Sequence, residues 1–258
     1  MLCDSHMTRS TALVTGGSRG IGAATVVTLA ERGVDVAFTY RSKQKRADQV
    51  VADATAHGGR VLSMASDLTD SRASQAMVAR VGAWAGALDL LVLNASGGLE
   101  PDLVRTSPDY AMKINRDAQV NLVTMALPLL SSGGTVVLVT SHWAHLYGRI
   151  PQLPAYEPVA RSKNAGEMAL RSLLVSHASA VRLIVVTGDL VDGTVTPKLL
   201  ERVSRGLADR RRSEIGALPT VEDMAQAIVS AAFDRELESG HTVVVGGDLE
   251  SLSAQLSV

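Results

Sequence analysis

Cysteine is almost missing: Cys3 is the one thiol in 258 residues. No intrachain disulfide can form, so the fold must be held without covalent cross-links between cysteines. Aromatic residues make up only 3% of the chain while 46% is hydrophobic. The core must therefore be built from small aliphatic side chains, a filling that suits a parallel sheet between helices. Neither sign of charge prevails, and a net charge of −1 offers no basic surface for nucleic acid or an anionic membrane. No apolar run is long enough to span a bilayer, and no secretory segment follows Met1, so a cytoplasmic protein is expected. No His, Cys and Asp cluster has metal-ligand spacing, so no catalytic metal is expected. The triple arginine at 210–212 reads as a solvated helix face.

What is present is a regular alternation. Apolar runs at 11–16, 34–40, 60–66, 88–96, 135–141, 181–188 and 241–247 read as strands. Helical patterns fall at 20–32, 43–57, 70–85, 109–130, 158–178, 194–211 and 220–234. No repeat or low-complexity linker interrupts them. The rhythm predicts an α/β chain with a single-domain, Rossmann-type doubly wound sheet of about seven parallel strands flanked by helices. Residues 1–9 lack periodicity and are expected to be a flexible tail ahead of one domain over 10–258. In such sheets ligands bind beyond the carboxyl ends of the strands.

The first strand runs into Thr15-Gly16-Gly17-Ser18-Arg19-Gly20-Ile21-Gly22. Glycines at 16, 20 and 22 permit a tight turn, close approach of a pyrophosphate and close helix–strand packing, and the helix N-terminus adds free N–H groups. After the second strand come Arg41, Ser42 and Lys43, where an acid would select NAD by gripping the ribose 2′-hydroxyl. With Arg19, Arg41 and Ser42 instead suit a 2′-phosphate, so NADPH is the expected cofactor.

The Thr-Gly-x-x-x-Gly-x-Gly loop, Asp67-Leu68 after the third strand and Asn94-Ala95-Ser96-Gly97 after the fourth resemble the short-chain dehydrogenase/reductase superfamily over about 10–250. The fourth-strand turn departs slightly from that family's Asn-Asn-Ala-Gly. The resemblance implies that Asp67 and Leu68 flank the adenine, that Asn94, Ala95 and Ser96 pack under the ribose, and that Gly188, Asp189 and Leu190 line the nicotinamide. Thr187-Gly188 stands where the family has Pro-Gly. It further implies a small-molecule substrate, and a homodimer or homotetramer paired through the 109–130 and 158–178 helices.

The family's chemistry is hydride transfer with a tyrosine as general acid, a lysine four residues later, a serine after strand five and an asparagine in the long helix. By resemblance Asn115, Ser141 and Lys163 fill three of these places. The fourth is Val159, which has no proton to give. Tyr156 lies seven residues before Lys163, and seven helical residues advance about 700°, so residues 156, 159 and 163 can share one face. The Tyr-x6-Lys spacing resembles the enoyl-acyl-carrier-protein reductases of the superfamily, in which the phenol meets an enolate oxygen. Pro158 belongs in a first helical turn, so the helix should start near Glu157 with Tyr156 at its cap. Pro151 and Pro154 stiffen the approach to Tyr156. His142, His145 and Tyr147, in the long segment between Ser141 and Tyr156, are alternative acids. Residues 192–212 stand where the family has its variable lid, with Val195, Leu199, Leu200 and Val203 at helical spacing and Leu99, Pro101 and Leu103 opposite. The expected activity is an NADPH-dependent reduction of the C=O or conjugated C=C of a small apolar or acyl-type substrate, free or carrier-bound. A catalytically silent NADPH-binding sensor or complex partner is the alternative.

Overall fold

The computed structural model describes residues 9–177, 180–202 and 204–254. Most of the expected tail, Cys3 included, and Val203 of the lid lie outside the described residues.

The apolar runs become seven strands: β1 (Thr11–Val14), β2 (Asp35–Tyr40), β3 (Val61–Ala65), β4 (Leu88–Leu93), β5 (Leu130–Ser141), β6 (Val181–Gly188) and β7 (Thr242–Val245). They form one parallel sheet in the order β3-β2-β1-β4-β5-β6-β7. The order reverses between β1 and β4, the place where doubly wound sheets open a crevice. Alternate side chains of each strand feed opposite faces. Val14, Val36, Val92, Val137 and Ile184 pack with Leu29 of α1 (Gly20–Glu31) and Ile228 of the helix Val221–Phe233. Leu13, Leu91, Val136 and Leu183 face the other way, onto Leu122 and Leu170. All nine of these strand residues are at most 1–2% exposed, so both faces of the sheet are dry, as the continuous apolar runs require.

The helices follow the expected spans where capping chemistry is clear. After α2 (Gln44–Thr55), α3 (Ser71–Ala85) begins where the Asp70 carboxylate accepts the Arg72 and Ala73 N–H groups. The pattern at 109–130 is not one helix. It breaks into α5 (Tyr110–Met112), a π-helical turn (Lys113–Asp117), α6 (Ala118–Ala126) and a 3₁₀ turn (Leu127–Leu129). Three short helices were not expected: α4 (Pro101–Thr106), α7 (His142–His145) within the long segment after β5, and a terminal one at Leu249–Ala254. α8 (Glu157–Val175) starts with Tyr156 as its cap and Pro158 in its first turn.

The segment 192–212, expected as a lid, also differs from the single helix expected. It divides into α9 (Val195–Glu201) and α10 (Leu207–Ile215), parted by Gly206 at φ +73°, a conformation that stops a helix. Val195 is exposed and Leu200 buried, so the segment does not present one apolar stripe. Of the triple arginine expected on a solvated face, Arg210 is exposed, but the next two are tied down. Arg211 is 3% exposed and bound to Asp189, and Arg212 bridges Asp192 and Asp209. α11 (Val221–Phe233) opens with a capping box, in which Thr220 and Asp223 each bind the other's backbone N–H. α12 is the terminal helix Leu249–Ala254. Among the described residues no helix is long and apolar enough to cross a membrane.

α8 crosses the π turn at Gly166, where a Cβ would overlap the Asn115 carbonyl oxygen and press on the Arg116 Cα. Gly166→Ala must therefore push two helices apart, costing about 1–3 kcal/mol by overpacking. The expected result is a clear fall in midpoint of chemical denaturation.

Candidate active site

The reversal of strand order brings the ends of β1 and β4 together, and side-chain hydrogen bonds lock them. The Thr15 hydroxyl accepts the N–H groups of Asn94 and Ala95, each at 3.0 Å. The Asn94 amide donates to the carbonyls of Thr15 at 2.9 Å and Gly16 at 3.3 Å. Asn94 thus shapes the glycine loop from below. The glycines have different tasks. A Cβ on Gly22 would strike the Gly16 carbonyl, and one on Gly17 would overlap Phe38, so these two permit packing. Gly20, at φ +54°, faces open space with only the Thr194 methyl at 3.9 Å. α1 starts here with no side-chain cap and no acid in its first turn, so its leading N–H groups are available to an anion. Ser18 and Ile21 flank this opening and are partly exposed, and Arg19 is exposed. The loop fits a pyrophosphate, with Gly20 and the α1 N-terminus as cradle and Thr194 of the lid above.

Beyond the loop, β2 ends in exposed Arg41 and Ser42. Arg41 Nη1 donates to the Tyr110 hydroxyl at 2.6 Å and forms no salt bridge among the described residues. Asp67 turns its carboxylate onto the N–H and hydroxyl of Thr69, at 2.9 and 2.7 Å. Leu68 is buried in the core. Two arginines without carboxylate partners at the phosphate end, and no acid at the end of β2, fit a nucleotide with a 2′-phosphate.

At the chemical end, Ser141 closes β5 and its hydroxyl lies 2.9 Å from the Tyr156 hydroxyl. It also accepts the Ala144 N–H at 3.3 Å, capping α7. Tyr156 is 5% exposed, and burial lifts its phenol above the ordinary range, with the Ser141 contact opposing that in part. The alternative acids are all engaged elsewhere. His142 is fully buried, and its Nε2–H donates to the Gly246 carbonyl at 2.6 Å, leaving Nδ1 to accept from Thr187 at 3.0 Å. Burial keeps this imidazole neutral. His145 donates to Glu167, itself held by Arg171, and Tyr147 donates to Glu157 at 2.6 Å. Neither histidine is solvent-facing: His142 is fully buried and the His145 side chain is 14% exposed. Val159 occupies the turn between Tyr156 and Lys163, is 3% exposed, and packs against the Gly98 turn.

Lys163 forms no hydrogen bond or salt bridge among the described residues, and desolvation alone lowers its ammonium to about 8. It lines a cavity of about 10 Å³ with Ala95, Asn115, Gln119, Leu138, Val139 and Thr140. Gln119 Oε1 and Thr140 Oγ1, both on lining residues, lack hydrogen-bond partners. The space matches one water, with several polar groups to hold it. Asn115 is buried in the π turn with its side chain fully committed. Its Oδ1 accepts from Ser96 Oγ and the Gly97 N–H, and its Nδ2 donates to the Gly97 carbonyl and Ser162 Oγ. Asn115 therefore joins the β4 turn to α8; its side chain does not reach Tyr156 or Ser141. Sequence reasoning missed Gln119, Thr140, Ser162 and Tyr110. Only Tyr110 carried a signal, as one of four tyrosines in the chain.

The residues expected to line the nicotinamide stand at the end of β6 and just after it. A Cβ on Gly188 would meet Met224 Sδ at 2.7 Å, and Leu190 is buried among Trp143, Tyr156, Val159 and Leu200. The Asp189 carboxylate takes Arg211 Nε and Nη2 at 2.8 and 2.6 Å and the Leu190 N–H at 2.7 Å. Its acceptors are thus committed to the lid and its own backbone.

Comparison with known proteins accounts for this arrangement. Residues 10–203 match the family model described as short chain dehydrogenase. The 1-cyclohexenylcarbonyl-CoA reductase of Streptomyces collinus is 28% identical over 254 residues, covering 93% of this chain and 87% of that protein. Versicolorin reductase 1 of Aspergillus parasiticus is 29% identical over 178 residues, covering 67% and 66%. Among solved structures, a short chain dehydrogenase from Burkholderia cenocepacia in complex with NADP superposes with a TM-score of 0.81 at 29% identity, covering 94% of this chain and 99% of that one. A short-chain dehydrogenase/reductase of Serratia marcescens gives 0.79 at 28% identity over the same shares. The chain belongs to the short chain dehydrogenase family of oxidoreductases.

The lone ammonium has a consequence for stability. With a folded-state value near 8 against 10.5 in the open chain, Lys163 sheds its proton earlier when folded. Its burial cost is therefore fully present below pH 8 and is relieved as pH rises toward 10.5. Lys163→Met is expected to melt higher than wild type at pH 7, and the gap should close between pH 8 and 10.5. Thermal melts across that range check it.

Proposed function

We propose that this chain is an NADPH-dependent reductase in which Tyr156 and Ser141 hold the substrate oxygen. The observation that carries this reading is the 2.9 Å contact between the two hydroxyls. It gives the site a proton donor although Val159 stands where the family has its tyrosine. The cofactor assignment is supported by the open face at Gly20, by Arg19 and Arg41 without carboxylate partners, and by the NADP found in the Burkholderia relative. Gly16, Ser18, Gly20, Ile21 and Gly22 would hold the pyrophosphate, Asp67, Leu68 and Asn94 to Ser96 the adenosine, and Gly188 to Leu190 the nicotinamide. Bound NADPH would supply the hydride.

In this reading the Ser141 hydroxyl donates to the substrate oxygen while Tyr156 passes its proton to it as charge develops. Burial favours the protonated phenol, the form an acid needs. Lys163, held without a counter-ion, favours negative charge nearby and returns a proton through the small cavity it lines. Leu190, Leu200, Val159 and Trp143 form an apolar enclosure that excludes water from the reacting atoms. Residues 192–212 act as the lid of a single reductase domain.

The substrate class we favour is a conjugated acyl compound reduced at C=C. No hydrogen bond joins Tyr156 to Lys163, and the phenol lies one helical turn earlier than a lysine-paired tyrosine. This suits an enolate oxygen, which sits farther from the hydride acceptor than a ketone oxygen does. The Streptomyces relative, named for a cyclohexenylcarbonyl-CoA substrate, agrees with it. Reduction of an aryl or alkyl ketone is the second reading, supported by the Ser141–Tyr156 pair itself and by the versicolorin reductase relative. A panel of enoyl thioesters and ketones under NADPH separates them, and binding of NADPH with no oxidation across the whole panel would instead mark a silent sensor.

Tyr156→Phe is expected to lower kcat by about 10²-fold or more, the scale of a lost general acid, with NADPH affinity unchanged in calorimetry. Full activity in this variant would assign the proton to another group. Met168 and Val175 stand exposed two turns apart on α8, so the proposed homo-oligomer would form on this face. The Met168→Glu, Val175→Glu double variant should elute as a smaller species in light-scattering chromatography.

A further inference from the structure

The end of β2 holds a cation restrained in an unusual way. Arg41 is exposed, yet its Nη1 is fixed by a 2.6 Å hydrogen bond to the Tyr110 hydroxyl, 69 residues away. Tyr110 itself is 8% exposed, and its ring lies over the β4 turn, where a Cβ on Gly97 would meet Cε1 at 2.8 Å and the hydroxyl at 3.3 Å. Its backbone N–H is tied to the Ser107 carbonyl at 2.9 Å. The phenol is thus a rigid post, and the arginine leans on it.

The chemical nature of the post matters. A carboxylate at this place would fix Arg41 but neutralise it and repel an incoming phosphate. Both nearby acids are turned away: Asp67 binds Thr69, and Glu100 accepts the Gly98 N–H at 2.8 Å. The phenol is neutral, and burial is the first cause keeping its proton on. It restrains the guanidinium and leaves the full charge in place. The contact also uses only Nη1. Nε and Nη2, the edge that pairs with phosphate through two parallel N–H groups, have no partner in the protein among the described residues.

We propose that Tyr110 is a specificity-determining positioning residue, whose hydroxyl holds Arg41 by one corner so that the Nε–Nη2 edge grips the 2′-phosphate of NADPH. This rests on the cofactor reading above and adds to it the residue that orders the arginine before binding. Without the post, the flexible side chain must be ordered by the ligand itself, and affinity falls.

The test is calorimetric titration of NADPH and NADH into wild type, Tyr110→Phe, Arg41→Ala and the double variant. Tyr110→Phe keeps the ring on Gly97, and the two affinities come from one preparation, so any unfolded fraction cancels in their ratio. The expected result is about fivefold weaker NADPH binding in Tyr110→Phe, the scale of one net hydrogen bond, with NADH affinity unchanged. The double variant should match Arg41→Ala, because the phenol acts only through the arginine. An unchanged NADPH-to-NADH ratio in Tyr110→Phe overturns the proposal, as does a double variant whose losses add. A wild-type chain indifferent to the 2′-phosphate overturns the cofactor reading and this proposal together.

Discussion

The close approach of α8 to the π turn at Asn115 is the constraint on which the chemical end depends. It exists because residue 166 has no side chain to keep the Asn115 carbonyl away. Once the two helices touch, Ser162 comes within 2.9 Å of the Asn115 amide, and Asn115 reaches the turn after β4 on its other side. One turn back along α8, Lys163 is carried into the space between this helix and β5. One turn further back stands Val159, and at the helix cap Tyr156, aimed at the serine that ends β5. A single backbone contact therefore sets the positions of five side chains at the site. The energy that keeps an unpaired ammonium there comes from the packing of the helices, since the lysine makes no bond of its own.

The two sides of the crevice are built on opposite electrostatic terms. Around α8 and the segment after β6, Lys163 apart, charges are paired: Asp189 with Arg211, Asp192 with Arg212, Glu167 with Arg171 and His145. The buried Asp189–Arg211 pair is costly to break singly, so α10 is fixed to the end of β6, while Thr194, just ahead of α9, places its methyl near Gly20 of the glycine loop. The nucleotide side keeps its cations uncompensated, at Arg19 and at Arg41 on its phenolic post. Charge is cancelled where the protein must hold itself together and left open where an anion would arrive.

Much of this was legible in the linear order of residues. Continuous apolar runs gave away the strands because a sheet buried on both faces has no polar alternation to hide them. The glycine loop and the missing acid after β2 were legible because they are local. So was the start of α8, since proline permits a helix only from its first turn. Arg211 and Arg212 were misread, because a run of like charges looks solvated until its counter-ions, 22 and 20 residues distant, are seen. The helix at 109–130 was misread as continuous because a π turn leaves no mark in periodicity: one extra residue in a turn shifts the pattern by less than the breadth of an apolar face.

The sequence by itself determined the order of strands and helices along the chain, the glycine loop after β1, the sign of charge after β2 and the absence of a tyrosine at 159. Each depends on residue type or near-neighbour spacing. Only the tertiary structure decided that Tyr156 meets Ser141, that Asn115 serves as a tie between β4 and α8, and that Tyr110 stands under Arg41. These contacts join residues 15 to 69 positions apart, and such pairings arise from how helices cross and sheets reverse, which no local pattern encodes.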